Sequence, residues 1–567
     1  MIEHAPKGLD PLLDQAIEAI IRRSSFSGFT ETGSSRVHGE EKVAQGRRDY
    51  EALLGQQFKI AREAHFEHAE RFHEGEEISP YTGERLGIQY PIFNLDEQYR
   101  NAHAAMRSWV NAGAEKRTEV CVQLLKDLDA QAFLIANAVM HTAGQSFPMA
   151  FAGSGANALD RGLEALAWAW GSLNVLPSEA SWTKTFGGKH QVTLEKKWRI
   201  MPMGTAVVFC CASFPTWNGY PAIFANLACG NPVFVKPHPT AILPMAIAVK
   251  VLREGLRNVG FDPELVQLVV DSTDEPLGKV LVEHPETAIV DFTGSAKFGA
   301  WVEQHSGNRP CYTETSGVNS VILDSARDLD AVLDAITNTF CLFSAQMCTS
   351  PQTFYIPESG VSLADGRQVS ADEIESLFCE RIDQLIQDSK RASSVLGCIQ
   401  SPATLQLLDD WQRRAESGEF RLLRASKPYT NVAGDHCRTA TPLLLGLNAE
   451  TPITEEVFAP IGFIYRVRDR DHALEHASAI SKKHGALTTY LYSIDEEFIA
   501  KAEESFAWAG VALTTNLTGV MPLNFSAAYS DMHVSGLNPA GNATLAEPSF
   551  IAGRFRYAQS RRPKGDQ

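Results

Sequence analysis

The sequence predicts an α/β protein of two domains, each built on a parallel sheet, and three observations carry that prediction. From residue 204 onward short apolar runs alternate with helix-length segments, as βαβ units require. The alternation stops near Pro310 and then restarts. With 567 residues, 44% hydrophobic and 21% charged, the chain can hold two or three cores and has the balance of a globular protein.

Taken in order, residues 1–85 are polar and helical in tendency, broken by FSGFTETGSSR, and read as a helical extension. His65, His68 and His73 lie there among glutamates without HExxH spacing, so a solvated charged helix explains them better than a metal. Helical patterns fill residues 95–172. Gly153, Gly155 and Ala158 make a GxGxxA string, but HTAGQSFPMAFA before it is a poor strand, so no dinucleotide turn is expected there. TAVVFCC, NPVFVK, LVQLVVD and TAIVDFTG read as buried strands and AIFANLA as a helix. Thr240 is placed to cap the helix in AILPMAIAVKVLREGLRNVG.

After the restart, NSVILD, TFYIP, PIGFIYRV, ALTTYLYS and GVALTTN continue a second α/β unit. Leu329, Val332, Leu333, Ile336 and Phe340 line one face of a helix that runs toward Cys348. The last fifty residues, with SGLNPAGNA and a basic end, read as loops and an edge or docking segment.

The net charge of −17 disfavours nucleic acid and anionic membrane surfaces as partners. No apolar run approaches the roughly 18 residues of a membrane span, and the start shows no signal peptide. Ten cysteines without CxxC or CxxH spacing argue against a structural metal and for free thiols in a reducing cytoplasm. Cys210 and Cys211 end a buried strand, and Cys341 lies seven residues before Cys348; all three read as packing, with no disulfide expected.

Two stretches carry chemistry. In YTETSGVNSVILD, Glu314 sits in a turn-forming run 34 residues before Cys348, enough for a strand and a helix to bring carboxylate and thiol to one pocket. In VDFTGSAKFGAW a strand gives way to a helix at Gly294 and Ser295, with Gly299 one turn in. Such helix starts offer free N–H groups and a positive dipole end to phosphate.

The ordered strings FTGS…G, a Glu before a Gly-containing turn, Q-x-C-T at Gln346–Thr349, and EEVFAP resemble the aldehyde dehydrogenase superfamily over roughly residues 90–545. FPTWNGYPAIFANLACGNPVFVKPHP and HVSGLNPAGNA look most like its PaaN branch of phenylacetate degradation proteins. The resemblance implies an aldehyde dehydrogenase-like fold: a dinucleotide-binding domain at 86–184 and 202–311, a catalytic domain at 312–519, and an oligomerisation segment at 185–201 and 520–567. It implies Cys348 as nucleophile, Glu314 as the base that activates water, and Gln346 as a shaper of the loop. Lys236 is implied for the adenosine ribose, Gly294, Ser295 and Gly299 for the pyrophosphate, and Glu456 and Phe458 for the nicotinamide end.

Two departures stand out. Ser213 replaces the asparagine the family places 23 residues before the lysine as an oxyanion donor, so either Asn218 reaches in or Ser213 serves with the Cys348 N–H. Pro239 replaces the glutamate that bonds the 2′-hydroxyl in many NAD-specific members, and His238 stands next to it, so the lean is to NADP over NAD. The activity the resemblance implies is NAD(P)-dependent oxidation of an aldehyde or semialdehyde from aromatic ring cleavage, free or CoA-linked, by a homodimer or homotetramer. A catalytically weak cofactor-binding or assembly protein, favoured by Ser213, and a CoA-acylating enzyme, opposed by Glu314, are the alternatives.

Overall fold

The computed structural model describes residues 2–60, 69–315, 317–448, 451–537 and 547–564; His65, His68 and most of SGLNPAGNA lie outside them. Five parallel strands make the first sheet, in the order Val266–Leu268, Val233–Lys236, Thr205–Phe209, Thr287–Gly294, Cys311–Thr315. The chain steps outward from Thr205–Phe209 in one direction and then crosses to Thr287–Gly294 on its other side. That reversal opens a crevice at the carboxyl ends of the strands, where doubly wound sheets bind ligands. The helices Pro215–Cys229 and Leu243–Asn258 are among those that cover it. The first starts on a proline and stops at Gly230, whose φ of +96° suits a glycine cap.

The second sheet has seven strands, in the order Arg421–Arg424, Leu443–Asn448, Ile461–Val467, Thr353–Pro357, Ser320–Leu323, Thr488–Tyr492, Ala512–Thr515. All pair in parallel except the first two. Its inner strands are buried on both faces, which is why they read as continuous apolar runs. The antiparallel strands Glu179–Phe186, His190–Pro202 and Phe555–Pro563 form a third sheet that projects into solvent.

Several expectations change. Glu314 lies not in a turn but in the strand Cys311–Thr315, opposite Thr293, so it belongs to the first sheet. Thr240 does not cap a helix: the helix begins at Leu243, and the Thr240 hydroxyl is engaged with His238 and Gln400 instead. The N-terminal extension is part of the first core. Asp10 caps the helix Pro11–Arg22 through Leu12 N at 2.8 Å, and that helix buries Leu13, Ala16, Ile17 and Ile20. Gly153 and Gly155 are buried in a helical turn, Ala152–Asn157, after the helix Phe147–Phe151, and buried Ala158 opens the next helix, with no strand before them.

One ion pair ties the third sheet to the first. Arg554, fully buried, donates to both oxygens of Asp291 at 2.6 and 2.7 Å, and the Asn226 amide donates to the same carboxylate. Removing the guanidinium strands a buried carboxylate. Arg554→Met is therefore expected to cost about 3–5 kcal/mol of unfolding free energy in denaturant titration, and unchanged stability would count against this account.

Candidate active site

The carboxyl edge of the first sheet collects the residues singled out from sequence. Thr293 and Gly294 end one strand beside Glu314 and Thr315 of the next. Ser295 then caps the helix Ala296–His305, its hydroxyl accepting from Phe298 N at 3.4 Å, and the start of the helix is exposed, as N–H groups that await a ligand must be. A Cβ at Gly299 would stand 2.4 Å from Thr315 Cγ2, so only glycine lets helix and strand approach this closely. Two strands away Lys236 ends Val233–Lys236, its Nζ 2.7 Å from Asp271 Oδ1. An ammonium, free helical N–H groups and close-packed glycine along one edge fit a dinucleotide. His238 is exposed and its Nδ1 meets the Thr240 hydroxyl at 2.9 Å, so that atom is not free for a phosphate.

Cys348 reaches the crevice from the second domain. Asp328 caps the helix Leu329–Cys341, and Val332, Leu333, Ile336 and Phe340 bury its inner face. Beyond it Phe343, Ser344 and Ala345 all adopt left-handed backbone, with φ of 50°, 51° and 52°. Such residues cost about 1–3 kcal/mol each and persist only where surroundings over-determine them. Here they do. Gln346, completely buried, donates to Phe343 O and Cys398 O and accepts from Gln400 N at 2.8 Å. Ser344 Oγ donates to Leu396 O, and Tyr490 OH donates to Thr349 O. Asn319 Nδ2 donates to Cys348 O at 2.7 Å and to Ser350 O, while its Oδ1 accepts from Leu487 N and Thr488 N.

The structure brings Cys348 and Glu314 together around a residue that the sequence reading missed. His533 Nε2 lies 3.5 Å from Cys348 Sγ and 3.0 Å from Glu314 Oε1, and Glu314 and His533 are both buried. The Trp217 ring meets the imidazole edge-on at 4.6 Å. The guanidinium of buried Arg161 lies 5.4 Å from the centre of that indole and also donates to Ser526 O and Oγ and to Asp531 O. Tyr529 OH donates to Asp160 Oδ1 at 2.7 Å, and burial pushes that carboxyl up to about 6. Residues 526–533 are thus clamped onto the helix Ala158–Leu173. Carboxylate, thiol and imidazole ligand atoms all lie within 4.8 Å of one another, a set that spacing along the chain did not expose.

Ser213 and Asn218, the two candidate oxyanion donors, both lie against Cys211. Asn218 Nδ2 and Phe214 N donate to Cys211 Sγ at 3.3 and 3.4 Å, Ser213 Oγ is 3.8 Å from it, and Gln145 holds Ser213 O. Cys211 is therefore at the site and not mere packing. Burial acts to raise the pKa of the Cys348 thiol, and Glu314, Cys211 and Glu456 act in the same direction. Glu456 and Phe458 line a small crevice with Met347 and Ser350 on the flank of the nucleophile loop. Cys341 is buried, and its thiol is free.

The aldehyde dehydrogenase family matches residues 68–527. A structure of an NAD-dependent aldehyde dehydrogenase from Burkholderia multivorans superposes with a TM-score of 0.92 at 40% identity, covering 98% of each chain. An NADP-dependent glyceraldehyde-3-phosphate dehydrogenase from Bacillus halodurans shares the fold, with TM-score 0.65 and 17% identity over 89% of this chain and 97% of that one. Among curated proteins, 1-pyrroline-5-carboxylate dehydrogenase 2 of Halalkalibacterium halodurans is 23% identical over 75% of this chain and 78% of its own. The corresponding Bacillus cereus enzyme is 26% identical over 57% of this chain and 60% of its own. A family match that spans both sheets and takes in both Glu314 and Cys348 settles membership: the chain belongs to the aldehyde dehydrogenase family.

Proposed function

We propose that the protein oxidises an aldehyde or semialdehyde to a carboxylic acid at Cys348. The observation that carries this reading is the meeting of a thiol from the second domain with a buried carboxylate beside the dinucleotide turn of the first. The Cys348 sulfur adds to the carbonyl carbon, and Ser213 Oγ with the Cys348 N–H receives the oxyanion. Asn218, whose amide gives one N–H to Cys211 and has a second to offer, is the alternative donor. NAD or NADP, when bound, supplies the hydride acceptor. Glu456 and Phe458 orient its nicotinamide end, and Lys236, Gly294, Ser295 and Gly299 its adenosine and pyrophosphate. Glu314 then takes a proton from the water that cleaves the thioester left on Cys348. A base in that position favours hydrolysis over transfer to coenzyme A.

For selectivity, Pro239 admits a 2′-phosphate, and Asp271, whose charge the Lys236 ammonium meets at 2.7 Å, does not exclude one. We keep both cofactors, with the lean to NADP. The PaaN-like strings support a substrate from phenylacetate catabolism, an aldehyde or semialdehyde of aromatic ring cleavage carried on coenzyme A. For the oligomer, the projecting third sheet, with Trp182 and Phe186 exposed, is the surface we assign to self-association. Among the described residues no helix is long and apolar enough to cross a membrane.

The test is absorbance at 340 nm with an aldehyde panel that includes ring-cleavage semialdehydes, free and CoA-linked, and 1-pyrroline-5-carboxylate, each with NAD and with NADP. Reduced cofactor is expected with at least one CoA-linked semialdehyde, and with NADP at least as fast as with NAD. No turnover with any aldehyde would overturn the reading.

A further inference from the structure

The proposed nucleophile sits in surroundings that oppose its ionisation. Burial, Glu314, Cys211 and Glu456 all act against a thiolate at Cys348. Yet the thiolate is the reactive form. Among the described residues, the basic atom within hydrogen-bonding distance of Cys348 Sγ is His533 Nε2, at 3.5 Å. The same nitrogen is 3.0 Å from Glu314 Oε1. A neutral ring with a bare Nε2 would aim a lone pair at that carboxylate. A ring carrying a proton on Nε2 satisfies the carboxylate and presents N–H to the sulfur as well.

We propose that His533 is a further catalytic residue of this enzyme: it takes the proton of the Cys348 thiol and holds it as an imidazolium bridging thiolate and Glu314. The proposal rests on the dehydrogenase reading above and deepens it. The step balances within the chain. Starting from the neutral ring with its proton on Nδ1, the S–H bond breaks, an Nε2–H bond forms at the vacant lone pair, and the sulfur keeps the electron pair that makes the C–S bond to the aldehyde carbon. The carbonyl π pair moves to oxygen. The charged and titratable groups around the imidazole are Glu314 on the first sheet, Cys348 and Glu456 from the second domain, and Cys211 after Thr205–Phe209. Behind Trp217 stand Arg161 and its partner Glu164, with Asp531 on His533's own segment. Arg161 grips residues 526–531 and so holds the ring in place.

The experiment measures the rate of Cys348 alkylation by iodoacetamide against pH, by peptide mass, with Cys348→Ala as the blank. In wild type the half-maximal rate is expected below the ordinary thiol value of about 8.5. In His533→Gln, whose amide can still donate to Glu314 but cannot exchange a proton, alkylation at pH 7 should slow by about 10-fold or more and the profile shift upward by about one pH unit or more. Thermal melting checks that the variant folds. If it does not, the wild-type profile alone decides, and a half-maximal rate above about 8.5 overturns the proposal. Superimposed profiles for wild type and His533→Gln also overturn it. So does stoichiometric zinc in the purified protein whose chelation changes the profile, because the three side chains would then be metal ligands. Alkylation needs no aldehyde and no cofactor, so failure of the dehydrogenase reading in the 340 nm assay is scored separately.

Discussion

Cys348→Ala should reduce aldehyde-dependent cofactor reduction by at least about 10³-fold while leaving the fold intact. The size follows from what is removed: without the sulfur no covalent adduct forms, and the remaining pocket offers only binding and oxyanion donors. The stability change should stay within about 1 kcal/mol, because one methyl-sized sulfur leaves a partly open position and its hydrogen bond to His533 is long. Cys348→Ser is expected to be as inactive, since a hydroxyl there faces the same acidic surroundings with a far higher intrinsic pKa. The rival is Cys211, the second thiol of the site. Its sulfur accepts from Asn218 and Phe214, contacts that favour a thiolate, but burial still raises its pKa, and its hydrogen-bond partners leave little room for a carbonyl. Cys211→Ala should keep most activity. Measured turnover in Cys348→Ala, lost only when Cys211 is also replaced, would reverse the assignment.

The strain of the nucleophile loop bears on the same result. Three left-handed residues in succession, Phe343 to Ala345, are tolerated because Gln346, Ser344 and Asn319 fix the carbonyls around them. None of those bonds uses the Cys348 side chain. The loop therefore holds its shape when the thiol is deleted, and the loss in Cys348→Ala reads on chemistry and not on architecture.

Sheet strands were legible because parallel strands buried on both faces must be continuous apolar runs: TAVVF, VFVK, SVIL and TFYIP say so without help. LLLGLN at 443–448 is as apolar and went unread. The Glu314–Cys348 pairing was legible from an interval and a resemblance, although the interval spans two sheets and not one returning unit. What stayed hidden was convergence between distant loops. His533 meets its partners across 185 and 219 residues, in a polar stretch with no period; it opens the string HVSGLNPAGNA, but a lone loop histidine does not say which groups it meets. Asp271 beside Lys236, and the amide of Asn218 turned onto Cys211, are hidden for the same reason. The packing of the N-terminal helix on the first core is hidden because its buried stripe, Leu13, Ala16, Ile17 and Ile20, is short and flanked by charge.

Glu314→Gln should separate the two halves of the reaction. Steady-state turnover is expected to fall by about 10²–10⁴-fold, the range a positioned general base contributes. The first turnover should survive, because hydride departure from a Cys348 adduct needs no water. Stopped-flow absorbance would then show a burst of reduced cofactor approaching one per active chain, followed by a slow phase, and intact mass would show an acyl group on Cys348. The burst itself should be slower than in wild type, since the introduced amide can accept from His533 but no longer carries the charge that favours a proton on Nε2. The amide has nearly the shape of the carboxylate it replaces and keeps a hydrogen-bonding oxygen at the buried end of Cys311–Thr315, so a packing defect cannot account for a selective loss of the second half. Full multi-turnover hydrolysis in this variant would move the base elsewhere. Loss of the burst together with turnover would instead place Glu314 in the acylation half, acting on the sulfur through His533.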